Sequence, residues 1–352
     1  MKTVIMGSGN GAIALAAWQS YCKHDVTICS LKGYDDNFTD FIDSKQIIIK
    51  GALKRNISLS NVTNDVRCVE NADVVCIVVP SFAHKNIFQN IVPHLRDGQI
   101  IIVFTGNFAS VTLREILENS NSSLKLNVVE TDSLPFACRY EGNAVINIMG
   151  IKKCLSAGIH KFNNLDRQAD RQIIDTIKPL TPCELIMRKN IIATGLQNVN
   201  GVLHPITSIL STAWIENEDN SFYFYSDGMS PSVSKLISKL DAERLSIAKA
   251  LGHDLKDVVK LSNDAYDFDF KLINDFAVNS QCHNRIKGPE LVNNRYLTED
   301  IPYSVVPWIC LADKIGVPTP MLKLTVNLAS ELLDTNLKIR ENEFRNLNLN
   351  EW

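Results

Sequence analysis

Thr3-Val4-Ile5-Met6-Gly7-Ser8-Gly9-Asn10-Gly11-Ala12 decides how the first half of this 352-residue chain reads. The four leading residues are apolar and few, as in a short buried strand. Glycines follow at once, and residues 11–21 form an alanine-rich helical run. GSGNGA fits the spacing GxGxxA. Gly7 permits a tight strand-to-helix turn, Gly9 lets backbone approach a diphosphate, and Ala12 lets the helix pack close to a sheet. The anion then lies at the positive end of the helix. Glycine spacing alone is a weak signal, but the flanking strand and helix are its confirming context. A dinucleotide site is expected at Gly7, Ser8, Gly9, Asn10, Gly11 and Ala12.

The following segments continue the alternation. Strands are expected at 25–30, 46–50, 56–59, 73–79, 99–104 and 125–130, the last closing the series. Short helical pieces are expected at 38–44 and 64–70, and longer helices at 84–95 and 110–118. Residues 73–79 are continuously apolar and end in Pro80, as a buried parallel strand does. Such alternation implies right-handed crossovers and a parallel sheet. Beyond Pro135 the pattern loosens, with an edge strand at 143–149 and a helix at 165–177. Prolines at 179 and 182 suggest the boundary between a domain of residues 1–182 and one of residues 183–352.

The second half reads as helices at 190–203, 206–215, 230–251, 256–263, 269–276, 305–315 and 321–335. Ser230 can cap its helix and Pro231 suits the first turn. The fold class expected is an α/β parallel-sheet domain followed by an all-helical domain.

Composition narrows the function. Apolar residues make up 45% and charged residues 21% of the chain, as in globular proteins. The net charge of -3 comes without blocks of like charge, which argues against nucleic-acid and membrane-surface partners. The apolar runs are too short to span a bilayer. The first strand begins at once, so no signal peptide is expected. Nine scattered cysteines form no CxxC pair. A reduced, cytoplasmic protein without a structural metal is the expectation.

The end of the second strand usually distinguishes the two nicotinamide dinucleotides. Here it reads Cys29-Ser30-Leu31-Lys32, without an acidic residue. Ser30 can donate to a 2′-phosphate and Lys32 can offset its charge, which favours NADP. NAD stays open, because Asp35 or Asp36 can fold back. Pro80 to His84 and Thr105-Gly106-Asn107 follow later strands and are placed on the nicotinamide side; for His84, a plain surface histidine is an equal reading. Arg139 and Glu130, around the sixth strand, are candidate anion and polar contacts, with a surface ion pair as the equal alternative.

The junction is Gln197-Asn198-Val199-Asn200-Gly201-Val202-Leu203-His204-Pro205. Of seven histidines, His204 alone is embedded in apolar helical sequence, with Asn200 one turn earlier. Pro205 disfavours helical geometry at His204, so a kink is expected there. On spacing alone, a core histidine is the commoner reading. Arg295-Tyr296-Leu297-Thr298-Glu299-Asp300 adds a cation and two carboxylates, and alone reads as a solvated helix start.

GSGNGA, NGVLHP (200–205), FYFYSDGMSPSVSKLISKLDAERLSIAKALG (222–252) and RYLTEDIPYSVVPWICLADKIGVPTP (295–320) together resemble the opine dehydrogenases of the octopine and nopaline type. The resemblance covers most of the chain. It implies a Rossmann domain and a helical domain with the active site in the cleft between. It also implies reductive condensation of an amino acid's amine with a 2-oxo acid, with pyruvate the common case, driven by NADH or NADPH. By resemblance the catalytic histidine falls on His204, its partner on Asp300, and a substrate-carboxylate binder on Arg295. From their positions, Arg139 and Asn200 are placed as further substrate contacts, with Asn200 also open to orienting His204 or the nicotinamide amide or to capping a bend, and Pro80 joins the cofactor set. The chain departs from the pattern at residues 211–214 and at Ser304, where glycine is expected. Both departures bear on the substrate pocket.

The chemistry suits these residue types. Hydride addition to C=N or C=O leaves charge that needs a proton, and imidazole titrates near ~6.5. A carboxylate on its other nitrogen fixes the tautomer. Arginine grips a carboxylate through two parallel bonds. Two other readings stay open: a dehydrogenase of a small 2-hydroxy acid, and a nucleotide-binding sensor without turnover. The apolar C-terminal helices are compatible with a homodimer as well as with a core.

Overall fold

The structure, a computed structural model, describes residues 1–163, 169–219 and 221–352. It divides into two compact units, Met1–Thr194 with Trp352, and Gly195–Glu351.

The elements of the first unit are Lys2–Met6 (β1), Asn10–Tyr21 (α1), Asp25–Cys29 (β2), Gln46–Gly51 (β3), Arg55–Ser58 (β4), Asn61–Thr63 (β5), Val74–Ile77 (β6), His84–Ile91 (α2), Ile100–Val103 (β7), Ala109–Asn119 (α3), Leu126–Thr131 (β8), Phe136–Gly142 (β9), Val145–Ile151 (β10), Cys154–Phe162 (β11), Ala169–Ile177 (α4) and Glu184–Met187 (β12). An eight-stranded sheet runs β12-β11-β8-β7-β6-β1-β2-β5. From β5 to β8 all neighbours are parallel, whereas β11 runs antiparallel to β8 and parallel to β12. This is the Rossmann-like arrangement, and all four residues of β6 are buried. Helix α1 packs against strands of both this sheet and a smaller one, β4-β3-β10-β9. That double burial accounts for its composition: Gly11 to Ala17 are all buried, and alanines let two sheets approach one helix.

Several expectations are corrected. Residues 38–44 are not a helix; a 3₁₀ turn at Asp36–Asp40 places Phe38 and Phe41 in the core instead. The strand near 143–149 is no edge, because β10 lies between β3 and β9. The main sheet does not close at β8. Residues 184–187, assigned from sequence to the second half, supply its edge strand β12, and the division falls after Thr194. β12 has only four residues and follows two prolines, so its pattern is too short to stand out. For the helix expected at 165–177, α4 accounts for 169 onward, and residues 164–168 lie outside the described residues. The last residue belongs to this unit: the Trp352 indole stacks on His160 at 3.9 Å and 14°.

Helix Ile191–Gln197 (α5) carries the division. The second unit continues with Asn200–Leu210 (α6), Thr212–Ile215 (α7), Pro231–Ala250 (α8), Val258–Tyr266 (α9), Ile273–Asn279 (α10), Arg295–Thr298 (α11), Val306–Ile315 (α12), Pro320–Leu333 (α13) and Glu341–Arg345 (α14). A π turn at Ile301–Val305 leads into α12. Ser230 Oγ accepts from Val233 N at 3.4 Å and Pro231 opens α8, as its sequence predicts. Among the described residues this unit forms no sheet, only a bridge between Tyr223 and Lys287. No helix among the described residues is long and apolar enough to cross a membrane.

Helix α6 is the centre of this unit, packing against α8, α11, α13 and the π turn. It runs through Pro205 as one helical element, so the helices expected at 190–203 and 206–215 are divided at 198–199 and at 211 instead. Glycine at 201 makes its approach to α12 possible: a Cβ there would meet the Trp308 ring at 2.6 Å. Trp308 in turn donates Nε1 to Gly195 O at 3.1 Å.

A buried arginine fixes the segment before α6. Arg244 is fully buried and gives Nε to Asp241 Oδ1 at 2.8 Å, Nη1 to Leu196 O at 2.7 Å and Nη2 to Lys256 O at 2.8 Å. Asp241 Oδ2 accepts from Val258 N at 2.9 Å. One ion pair thus ties α5, α8 and the start of α9. Replacing only the arginine strands a buried carboxylate, so Arg244→Met is expected to cost about 3–5 kcal/mol. Urea denaturation of the intact protein checks this, and an unchanged midpoint would refute the pin.

Candidate active site

The glycine turn has the geometry its sequence requires. Gly7 takes φ +134°, and a Cβ there would lie 2.4 Å from Val78 O and 3.2 Å from Ala12 Cβ. Its N–H donates to Cys29 O at 2.7 Å, which joins the ends of β1 and β2. Gly9 precedes α1 in extended geometry, with no side-chain cap on the helix, and a Cβ at Gly9 would meet no atom within 4 Å. Gly11 faces Leu134, whose nearest atom would be 3.1 Å from a Cβ. The start of α1 therefore has no side-chain cap and has open space beside Gly9, a cradle that fits a diphosphate.

Asn10 and Ser8 hold the surroundings of that turn. Asn10 Oδ1 accepts from Tyr140 N at 2.9 Å, tying the helix start to β9. Ser8 Oγ donates to Tyr34 O, and Asn37 Nδ2 donates to Ser8 O at 2.8 Å. The loop after β2 is thereby folded onto the glycines. Ser30 is buried and donates Oγ to Tyr34 O at 2.8 Å, so its proton is engaged by backbone. Lys32 is exposed. Asp35 does fold back: it accepts from Gly33 N and from Asn64 Nδ2, each at 2.9 Å, and the same Asn64 amide donates to Ser30 O.

The carboxyl ends of β6 and β7 are linked. Pro80 leads a 3₁₀ turn at Ser81–Ala83, and Ser81 Oγ accepts from Asn107 Nδ2 at 2.8 Å. His84 is 2% exposed, so it is not a surface histidine. Glu130 is fully buried and accepts from Ser110 N at 2.7 Å. It serves the start of α3, which is a structural use. Arg139 is exposed on β9 of the smaller sheet.

In the helical unit, His204 and Asp300 meet across 96 positions of sequence: Nδ1 lies 2.8 Å from Asp300 Oδ2, and both residues are buried. A carboxylate can only accept, so the proton belongs on Nδ1. Burial raises the Asp300 carboxyl above its ordinary value, and His204 opposes that shift. Arg295, one turn before Glu299, donates Nε to Glu299 Oε2 at 2.6 Å. Its side chain remains 65% exposed, while that of Glu299 is 10% exposed. Asn200 sits in the first turn of α6, its N–H donating to Asn198 Oδ1 at 3.1 Å. Gln197 is 1% exposed, and its amide oxygen and nitrogen find no hydrogen-bond partner among the described residues.

Two residues of the site are missed by reading the sequence alone. Tyr225 Oη lies 3.0 Å from His204 Nε2, and the Tyr296 ring lies 4.3 Å from the imidazole at 38°. Burial raises the Tyr225 phenol well above its ordinary value, so it remains protonated. The available signal is the run Phe222-Tyr223-Phe224-Tyr225, since a tyrosine buried among aromatics needs a partner for its hydroxyl.

One unit thus carries a Rossmann-type sheet with an uncapped glycine turn, and the other holds a buried histidine–carboxylate pair. Residues 187–333 match the family model described as NAD/NADP octopine/nopaline dehydrogenase, alpha-helical domain. The opine dehydrogenase of Arthrobacter sp. (strain 1C) is 30% identical over 342 residues, covering 95% of this chain and 91% of the relative. The chain belongs to the opine dehydrogenase family. Solved structures share the fold. An octopine dehydrogenase in complex with NADH and agmatine has TM-score 0.78 and 20% identity, covering 99% of this chain and 97% of that one. A yersinopine dehydrogenase bound to NADP+ has TM-score 0.74 and 12% identity, covering 98% of each chain.

Proposed function

We propose that this protein joins the amine of an amino acid to a 2-oxo acid, with pyruvate as the oxo acid, and reduces the product to a secondary amine dicarboxylate. The observation that carries this reading is the buried His204–Asp300 pair in a chain of this family. When bound, a reduced nicotinamide dinucleotide supplies the hydride.

Each residue has a role in the proposal. Gly7, Gly9 and Gly11 hold the diphosphate at the start of α1, with Ser8, Asn10 and Ala12 shaping the turn. Pro80 shapes the loop after β6. His204 manages the proton that must accompany reduction of C=N, while Asp300 fixes its tautomer and stabilises the imidazolium. Arg295 binds a substrate carboxylate through the guanidinium edge that Glu299 leaves open. Arg139 takes a second carboxylate. Asn200 and the buried amide of Gln197 are assigned polar substrate contacts, because a buried amide without partners is costly unless a ligand meets it.

NADPH is proposed as the preferred reductant. The support is Lys32 alone, since Ser30 is engaged by Tyr34 O. The folded-back Asp35 is the opposing charge, and it would favour a ribose diol.

His204→Ala is expected to lower turnover on the order of 10²–10⁴-fold, the contribution of a general acid or base. Fluorescence titration should show cofactor binding retained. Turnover at the wild-type level would remove His204 from the mechanism. Lys32→Glu should weaken NADPH binding far more than NADH binding in the same titration. Equal losses would show that Lys32 does not read a 2′-phosphate.

A further inference from the structure

Both ring nitrogens of His204 already have protein partners. Nδ1 meets Asp300 at 2.8 Å and Nε2 meets Tyr225 Oη at 3.0 Å. The Tyr296 ring lies tilted against the imidazole at 4.3 Å, and the Phe224 ring stands edge-on at 5.8 Å. His204 is 7% exposed and Tyr225 6%. A histidine that passed its proton directly to substrate would need one nitrogen clear. The nitrogen opposite the carboxylate is instead closed by a phenol.

We propose that Tyr225 is a catalytic residue: the proton path runs Asp300–His204–Tyr225, and the substrate receives its proton from the Tyr225 hydroxyl. With Nδ1–H held by Asp300, neutral His204 presents a lone pair at Nε2, and Tyr225 donates to it. When His204 is the imidazolium, Nε2–H donates to Oη instead. The phenolic proton is then released to point at the atom gaining charge. In the transfer, the Tyr225 O–H bond breaks and its proton joins the substrate nitrogen or oxygen. The Nε2–H bond breaks at the same time and its proton moves to Oη. Tyr225 ends as a neutral phenol, His204 as neutral imidazole, and Asp300 keeps its Nδ1–H partner. One proton leaves the imidazolium and one reaches substrate. Because Tyr225 regains a proton as it gives one up, no phenolate forms, which suits a hydroxyl in so buried a place.

The inference rests on the proposed function only in needing a nitrogen or oxygen that is protonated as the adjacent carbon is reduced. Tyr225→Phe tests it with little disturbance, since the ring remains against Phe224, Phe276 and His283. In the free, ¹⁵N-histidine-labelled protein, the variant should shift the His204 Nε2 resonance while Nδ1 stays coupled to Asp300. An unmoved resonance would mean that the hydrogen bond is not made, and the path falls whatever the substrate. In turnover, the variant should lose on the order of 10²-fold in hydride transfer with NADH and NADPH binding unchanged. Mixtures of H₂O and D₂O should give a curved rate dependence for wild type, reporting two protons in flight, and a linear one for the variant. A wild-type rate in the variant, or linear dependence in both, would overturn the proposal. Should wild type turn over no amine and oxo acid pair, the functional reading fails, while the nitrogen shift still decides the hydrogen bond.

Discussion

The 2.8 Å hydrogen bond between His204 and Asp300 joins two distant segments of the helical unit and depends on the packing around α6. Its two ends come from α6 and from the boundary between α11 and the π turn. Holding them together requires α6 to be fixed along its length. Gly201 admits Trp308 from α12, Arg244 pins the preceding segment through Leu196 O, and Tyr225 closes the far side of the imidazole. Each support is a buried polar or aromatic group with a named partner. Such networks reward full satisfaction and penalise partial satisfaction. The pair is therefore an outcome of the packing, and the packing has few ways to vary without losing it.

The first unit is governed by a different constraint, the closeness of backbone at the glycine turn. Gly7 leaves no room for a side chain beside Val78 O, whereas Gly9 has open space. One glycine is needed for the fold and the other leaves room for a ligand. Alanines in α1 serve the same economy of volume, since that helix is packed between strands of two sheets.

Much of this is legible in the sequence because short-range patterns carry it. The strand–glycine–helix order, the apolar run ending at Pro80, and the cap at Ser230 depend on neighbours a few residues apart. What is not legible depends on distant partners. β10 reads as an edge strand until its pairing with both β3 and β9 is seen. β12 is four residues whose strand character comes from β11. Pro205 suggests a break, yet α6 continues through it while packed against α8, α11 and α13. Ser30 reads as a phosphate donor because the fold of its own loop, which brings Tyr34 O within 2.8 Å, has no signature in sequence. For His204 and Asp300 the family resemblance points to both residues. Nothing in spacing alone separates His204 from a core histidine, and Tyr225, 21 positions away, is hidden in an aromatic run.

The proposed reaction consumes an amine and an oxo acid together. The direct measurement follows NADPH and NADH absorbance with pyruvate or 2-oxoglutarate, each with and without a panel of amino acids. Oxidation is expected only when both an oxo acid and an amino acid are present. Oxidation by an oxo acid alone, unaffected by any amine, would contradict it and leave a hydroxy-acid dehydrogenase in its place.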